Sequence, residues 1–203
     1  MTYPILIASI LTLIAAGMAS AEDRLPVYDG IGGEFTAPST LDRSVSLSDF
    51  RDRPVLLFFG YTSCQDICPA ALAHLQALMK QLGDESDRVA VVFVTVDPQN
   101  DTAEHLKAYL ARFDSRFVGI TGTPAEVATI ARQFKVKHDH SHEMKVTTAH
   151  NKSKTYTDEA FQYAHSQQVY LLDGHGRTRA LFFTGSPLDD MEKAVRSLLK
   201  EPT

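Results

Sequence analysis

The sequence predicts an α/β domain whose central sheet is mostly parallel with an antiparallel C-terminal edge, on three observations. Two long apolar runs, Val55–Gly60 and Val89–Val96, have the near-continuous hydrophobicity of strands covered on both faces. Segments of helical periodicity alternate with such runs along the chain. Near the C-terminus a Gly174-His175-Gly176 turn joins two further strand-like runs. At 203 residues, 44% hydrophobic and 22% charged, the chain fits one globular domain with a sizeable core.

Each element has its own local reason. Residues 31–50 are short, polar and Gly-containing, with apolar positions at Phe35, Val45 and Leu47, which predicts a small N-terminal hairpin extension. Val55–Gly60 follows Pro54 as the first buried strand. After a cysteine-bearing loop, Ala70, Leu72, Leu75, Leu78, Met79 and Leu82 recur at near-helical spacing, and Gly83 ends that helix. The β-branched run Val89–Val96 is the second buried strand, closed by Asp97-Pro98. Asp101 or Thr102 can cap a helix with Leu106, Tyr109, Leu110 and Phe113 on its apolar face. A short strand, Phe117–Ile120, precedes Thr123-Pro124-Ala125-Glu126, a capping box with proline at the first helical position. Residues 135–164 break the alternation, being rich in His, Lys, Thr and Asp, and read as a long surface loop. Gln168–Asp173 and Arg179–Phe183 then form a hairpin, and Ser186-Pro187 caps a last helix carrying Leu188, Met191, Val195, Leu198 and Leu199.

Charge and termini bound the function. A formal net charge of −5, with no clustered excess of Lys and Arg, argues against a nucleic-acid partner. Residues 1–21 contain no charged side chain, and Ile5–Ala16 is apolar but short for a bilayer span. Ala19-Ser20-Ala21 is the small-residue pattern at which an export signal is cleaved, leaving 22–203 as the mature domain. Because Met1-Thr2-Tyr3-Pro4 has no basic residue, an uncleaved N-terminal anchor is the alternative and would be the chain's one attachment to a membrane. Either reading makes the domain periplasmic or otherwise extracytoplasmic.

The two cysteines of such an exported domain can form one disulfide, hold a soft metal, or do both at different times. In Cys64-Gln-Asp-Ile-Cys68-Pro69 the second cysteine stands at or beside a helix start, where partial positive charge and unpaired N–H groups favour thiolate. Residues four apart lie on one helical face, so the sulfurs can converge on a metal, and disulfide geometry is also attainable. The spacing permits both and selects neither. A purely structural disulfide is the weaker reading, since so small a loop removes little unfolded-state entropy. A cysteine pair between the first buried strand and its following helix is the arrangement of thioredoxin-like folds. Oxidoreductases on that fold place two residues between the cysteines and a proline before the opposing strand; here there are three, and Tyr163–Gln168 contains no proline.

These residues together resemble the Sco/SenC family. Phe59–Pro69 is similar to its CxxxCP signature, Phe93–Thr102 to its second block, and Ala164-His165-Ser166 before Val169–Asp173 to its histidine block. Gly32–Phe35 and Asp49–Arg51 resemble its opening hairpin, so the likeness runs in matching order over roughly residues 30–200. The resemblance implies a thioredoxin-like copper chaperone serving cytochrome c oxidase. It makes Cys64 and Cys68 thiolate ligands, His165 the imidazole ligand, and Asp97 a nearby support group, with a plain turn-starting carboxylate before Pro98 as the alternative. Two sulfurs and one imidazole suit Cu(I), Cu(II) or both, whereas structural zinc takes a fourth ligand. The implied partners are apo cytochrome c oxidase subunit II, at its CuA site, or another copper acceptor, together with a periplasmic copper donor.

Alternatives on the same fold are a thiol-disulfide oxidoreductase, which the same pair could also be during loading, and a thiol peroxidase attacking through Cys64. His138, His140, His142, Met144 and His150 form a second cluster whose spacing can capture copper or zinc, against the plainer reading of a solvated tract. For His74, His105 and His175 a packing or surface role is expected.

Overall fold

The computed structural model describes residues 24–136, 145–147, 153–155 and 168–201, the two three-residue pieces as backbone only. The expected export segment at 1–21 lies outside these residues, as does most of the stretch read as a surface loop.

The two apolar runs form β3 (Val55–Gly60) and β4 (Ala90–Thr95), each buried at every position. They pair in parallel with Phe58 opposite Phe93, and β4 pairs in parallel with β5 (Val118–Ile120). On the other side of β3 runs β8 (Gln168–Leu172), antiparallel, followed by β9 (Thr178–Phe183), antiparallel to β8. The order is β5-β4-β3-β8-β9, and β8 alone opposes the direction of the other four. The turn Asp173–Gly176 closes with Gly176 N–H on the Asp173 carbonyl at 2.8 Å, and Gly176 takes a φ of 78° that a side chain would strain.

Helices cover both faces. Alternation along β3 sends Phe58 to one side, where its ring meets Phe93 at 5.9 Å and Phe93 meets Tyr109 of α2 (Ala103–Leu110) at 6.4 Å. Phe59 goes to the other side, against Phe134 at the end of α3 (Pro124–Gln133) and Tyr170 of β8. The tyrosine hydroxyl there donates to the Phe134 carbonyl at 2.9 Å, so a buried polar tip is satisfied. Between β3 and β4 runs α1 (Ile67–Leu82), which packs along α4 (Leu188–Lys200). The capping box at Thr123–Glu126 is formed with Pro124 in the first turn, as its sequence dictates.

Both sheet edges are occupied. The hairpin of β1 (Thr36–Pro38) and β2 (Ser44–Ser46) lies against β5, with Thr40 N–H on the Gly119 carbonyl and Thr121 N–H on the Pro38 carbonyl, both at 2.9 Å. At the β9 edge, Tyr28 N–H meets the Thr178 carbonyl at 2.9 Å, and buried Arg179 reaches the Leu25 and Pro26 carbonyls. Arg179 also bridges Asp173 at 3.0 Å and Glu201 at 2.8 Å, tying the β8–β9 turn to the C-terminal end of α4.

The first helix starts at Ile67, so Cys68 stands beside its start as the sequence predicts. Two details differ from the sequence reading. Ser186 does not cap α4; Pro187 holds the cap position, and the Ser186 hydroxyl accepts the Phe183 N–H at 3.0 Å inside the preceding turn. Within the stretch read as loop, β6 (Lys145–Thr147) and β7 (Ser153–Thr155) pair antiparallel, since backbone pairing needs no apolar face to signal it.

The Arg179 cluster generates a stability prediction. Arg179→Met leaves buried Asp173 with Arg177 alone and partly exposed Glu201 without this partner, and should cost about 3 kcal/mol, read by urea unfolding. Hydrogen bonding to Arg179 lowers the pKa of Glu201, and that of Asp173 is lowered because bonds from Arg177 and Arg179 outweigh the effect of burial. Depressed folded values mean that the contribution is present above the ordinary carboxylate range and lost below it. Stability should therefore hold from neutral pH down to about 5 and fall below about 4. In Arg179→Met that fall should be shallower; an unchanged slope would argue against the pairing.

Candidate functional site

The chain leaves β3 at Gly60, where the Gly60 carbonyl accepts Val96 N–H at 2.8 Å, and runs through Tyr61–Asp66 into α1. Asp66 occupies the helix cap position, Ile67 and Cys68 open the first turn, and Pro69 follows where a missing N–H costs nothing. Cys68 is 4% exposed, Cys64 is half-buried, and both are free thiols. The Cys64 sulfur accepts Cys68 N–H at 3.4 Å, so the pair meets across one helical turn.

The two sulfurs are electrostatically unequal. For Cys64, burial opposes ionisation but is outweighed by the N–H groups of Cys68, Asp66 and Ile67 and by the Cys68 thiol, which together lower its pKa. Burial pushes the Cys68 thiol far up, against a bond from the Tyr61 backbone, and the nearby Cys64 and Asp101 add to the rise. Cys64 is thus the ready thiolate and Cys68 the reluctant one.

Room for the buried sulfur comes from Gly60. A Cβ at this position would stand 2.8 Å from Cys68 Sγ, 2.9 Å from Phe93 Cε2 and 3.0 Å from Phe58 Cε1. The glycine serves here for space, because its side-chain position is the floor under Cys68.

The loop is anchored by Asp101, whose carboxylate has no exposed surface. It accepts Thr62 N–H at 3.1 Å, the Thr62 hydroxyl, and the Thr95 hydroxyl at 2.6 Å. Thr102, not Asp101, caps α2 by accepting His105 N–H at 3.2 Å. Tyr109 stands against the same region; among the described residues its buried hydroxyl has no hydrogen-bond partner, and burial followed by the charges of Cys68 and Cys64 drives its pKa up.

Asp97 lies at the end of β4, 6% exposed. Its carboxylate takes Asn100 Nδ2 at 2.9 and 3.1 Å, and its carbonyl takes the N–H groups of Asn100 and Asp101. Among the described residues, no three His, Cys, Asp or Glu side chains converge as a metal cage. His165 lies outside the described residues, as do His138, His140, His142, Met144 and His150. The β3–β8 register sets Val169 opposite Phe58, so β8 begins beside the end of β3 from which the cysteine loop departs. His74 pins α1 to the carbonyl of Ser186 at 2.7 Å, and His105 Nδ1 meets the Asn100 carbonyl at 3.2 Å.

Sequence reasoning missed Gly60, Asp101 as an anchor, and Tyr109. The one signal was compositional: a second aspartate four residues after Asp97 and threonines flanking both strand ends, which local pattern assigned to capping.

The sequence model of the SCO1/SenC family matches residues 26–200. Arabidopsis thaliana SCO1 homolog 2, mitochondrial, is 38% identical over 126 residues, 60% of this chain and 46% of that protein. An SCO2-like protein of Rickettsia prowazekii is 30% identical over 170 residues, 84% of this chain and 76% of that protein. Among solved structures, Bradyrhizobium japonicum ScoI with copper bound superposes with a TM-score of 0.66 at 29% identity, covering 83% of this chain and 99% of that one. The chain therefore spans about half the length of the plant relative and three quarters of the bacterial one.

Gly60→Ala tests the packing under Cys68. It should cost about 1–3 kcal/mol in urea unfolding, since neither ring nor sulfur has space to yield. A midpoint equal to wild type would refute the close approach.

Proposed function

This chain belongs to the SCO1/SenC family, and from that membership we propose that it carries copper as cargo and delivers it to cytochrome c oxidase during assembly. The observation that carries the reading is the pair itself: two sulfurs on one turn at a helix start, one held ready as thiolate, the other buried above Gly60. Soft sulfur donors fit Cu(I), and an imidazole nitrogen extends the set to three-coordinate or Cu(II) binding.

In this reading Cys64 and Cys68 are thiolate ligands and His165 is the third. Support for His165 comes from reach: it precedes β8 by three residues, which span at most about 11 Å. The half-buried Cys64 is the sulfur an acceptor ligand meets first, so ligand exchange starts there and ends at Cys68. Asp97 is kept as a support group that shapes the adjoining turn. His138, His140, His142, Met144 and His150 are a secondary capture site for copper or zinc. The acceptor is apo subunit II at its CuA site, supplied by a periplasmic donor. Residues 1–21 export or anchor the domain on the extracytoplasmic side; among the described residues no helix is long and apolar enough to cross a membrane.

A second reading has its own observation. A lowered, half-exposed Cys64 beside a raised, buried Cys68 is the inequality of a thiol-disulfide exchange pair, so the reduced protein can also reduce acceptor cysteines before loading.

Titration of the reduced protein with Cu(I) against a competing chelator tests the first reading. Binding should be 1:1, and Cys64→Ser or Cys68→Ser should weaken it at least about 100-fold, roughly 2.7 kcal/mol, with a smaller loss for His165→Ala. Copper affinity indifferent to both cysteine substitutions would end the proposal. Disulfide reduction that persists in His165→Ala while copper retention drops would assign the second activity to the cysteines alone.

A further inference from the structure

We propose that Asp101 is a positioning residue for the cysteine pair: by holding Thr62 it fixes the loop that carries Cys64, and so keeps the two sulfurs within reach of each other. Between the end of β3 at Gly60 and the start of α1 at Ile67 the chain crosses six residues, Tyr61–Asp66. Inside that crossing Cys64 N–H meets the Tyr61 carbonyl at 3.4 Å. The Cys64 sulfur accepts Cys68 N–H at 3.4 Å and faces the N–H groups of Asp66 and Ile67 at the helix start. Those ties of the sulfur fall on the helix side of the loop; on the strand side the Asp101 carboxylate accepts both the N–H and the hydroxyl of Thr62, two residues before Cys64. Bonds to an ionised acceptor are roughly twice as strong as neutral ones.

An anchor must itself be fixed, and Asp101 is held from three directions. The Thr95 hydroxyl at the end of β4 donates to its carboxylate at 2.6 Å. Its own N–H reaches the Asp97 carbonyl at 2.9 Å, and its carbonyl accepts the Thr121 hydroxyl beyond β5 at 2.8 Å. Local structure does not require this aspartate, because Thr102 supplies the cap of α2. The carboxylate is turned away from its own helix and towards a loop 39 residues earlier in sequence.

The inference requires that Cys64 and Cys68 act as a pair, whatever they hold, and is tested on metal-free full-length protein. Equilibration in glutathione buffers measures how well the loop presents Cys64 to Cys68. As the Cys64–Cys68 bond forms, the S–S bond of glutathione disulfide breaks, two electrons pass to it, and the two thiol protons end on two glutathione thiols. Thr62→Val, which removes the hydroxyl and keeps the shape, should lower the equilibrium constant about tenfold, as loss of orientation does. Thr62→Ser, which restores the hydroxyl, should stay within about twofold of wild type. Asp101→Asn, which keeps the shape and gives up the charge, should fall between them. A role confined to stability would shift the urea midpoint and leave the exchange constant of the folded protein unchanged. That outcome, or an equal loss in Thr62→Ser and Thr62→Val, overturns the proposal. If Asp101→Asn does not fold, the two Thr62 variants decide. A wild-type protein that binds no copper would sink the chaperone reading and leave this one standing.

Discussion

A carboxylate with no exposed surface is costly unless donors surround it, and the fold meets that demand at Asp101 with the Thr62 and Thr95 hydroxyls and the Thr62 N–H. Satisfying the charge therefore brings the loop after β3 and the end of β4 together, and the Asp101 carbonyl adds the chain leaving β5 by accepting the Thr121 hydroxyl. The parallel order β5-β4-β3 brings all these strand ends to one end of the sheet. The cysteine loop is part of that knot, so its shape is set by burial energetics as much as by its own sequence.

Chemistry at the pair follows from where each sulfur sits relative to the sheet. Cys68 is buried over Gly60, where desolvation dominates and the charged form is disfavoured. Cys64, one turn earlier, stays half-buried among the N–H groups of the helix start. One helix start thus yields two unlike thiols, an inequality useful both for handing over a soft ion in steps and for thiol exchange.

The opposite end of β8 is built for constancy. Arg179, Asp173 and Glu201 lock the β8–β9 turn to the last helix and to the N-terminal segment at Leu25 and Pro26. Together with the β1–β2 hairpin against β5, this leaves the sheet with neither edge bare along its full length. Rigid edges and a rigid far end leave the cysteine end of the sheet as the place where function can reside.

What the sequence alone determined is what a few neighbouring residues encode. Unbroken apolar runs specified β3 and β4, Thr123-Pro124 with Glu126 specified the start of α3, and Cys64 and Cys68 announced themselves by spacing and by the strand before them. Their family likeness was legible for the same reason, since its blocks are short and contiguous. Tertiary structure alone decided which polar groups are buried and against what. Asp101 read as a helix cap, Gly60 as a strand end, Tyr109 as one more apolar-face residue, and Ser186 as a cap it does not form. Each of these roles depends on a contact between segments far apart in the chain, and such contacts are fixed by strand order and packing, which no local periodicity records.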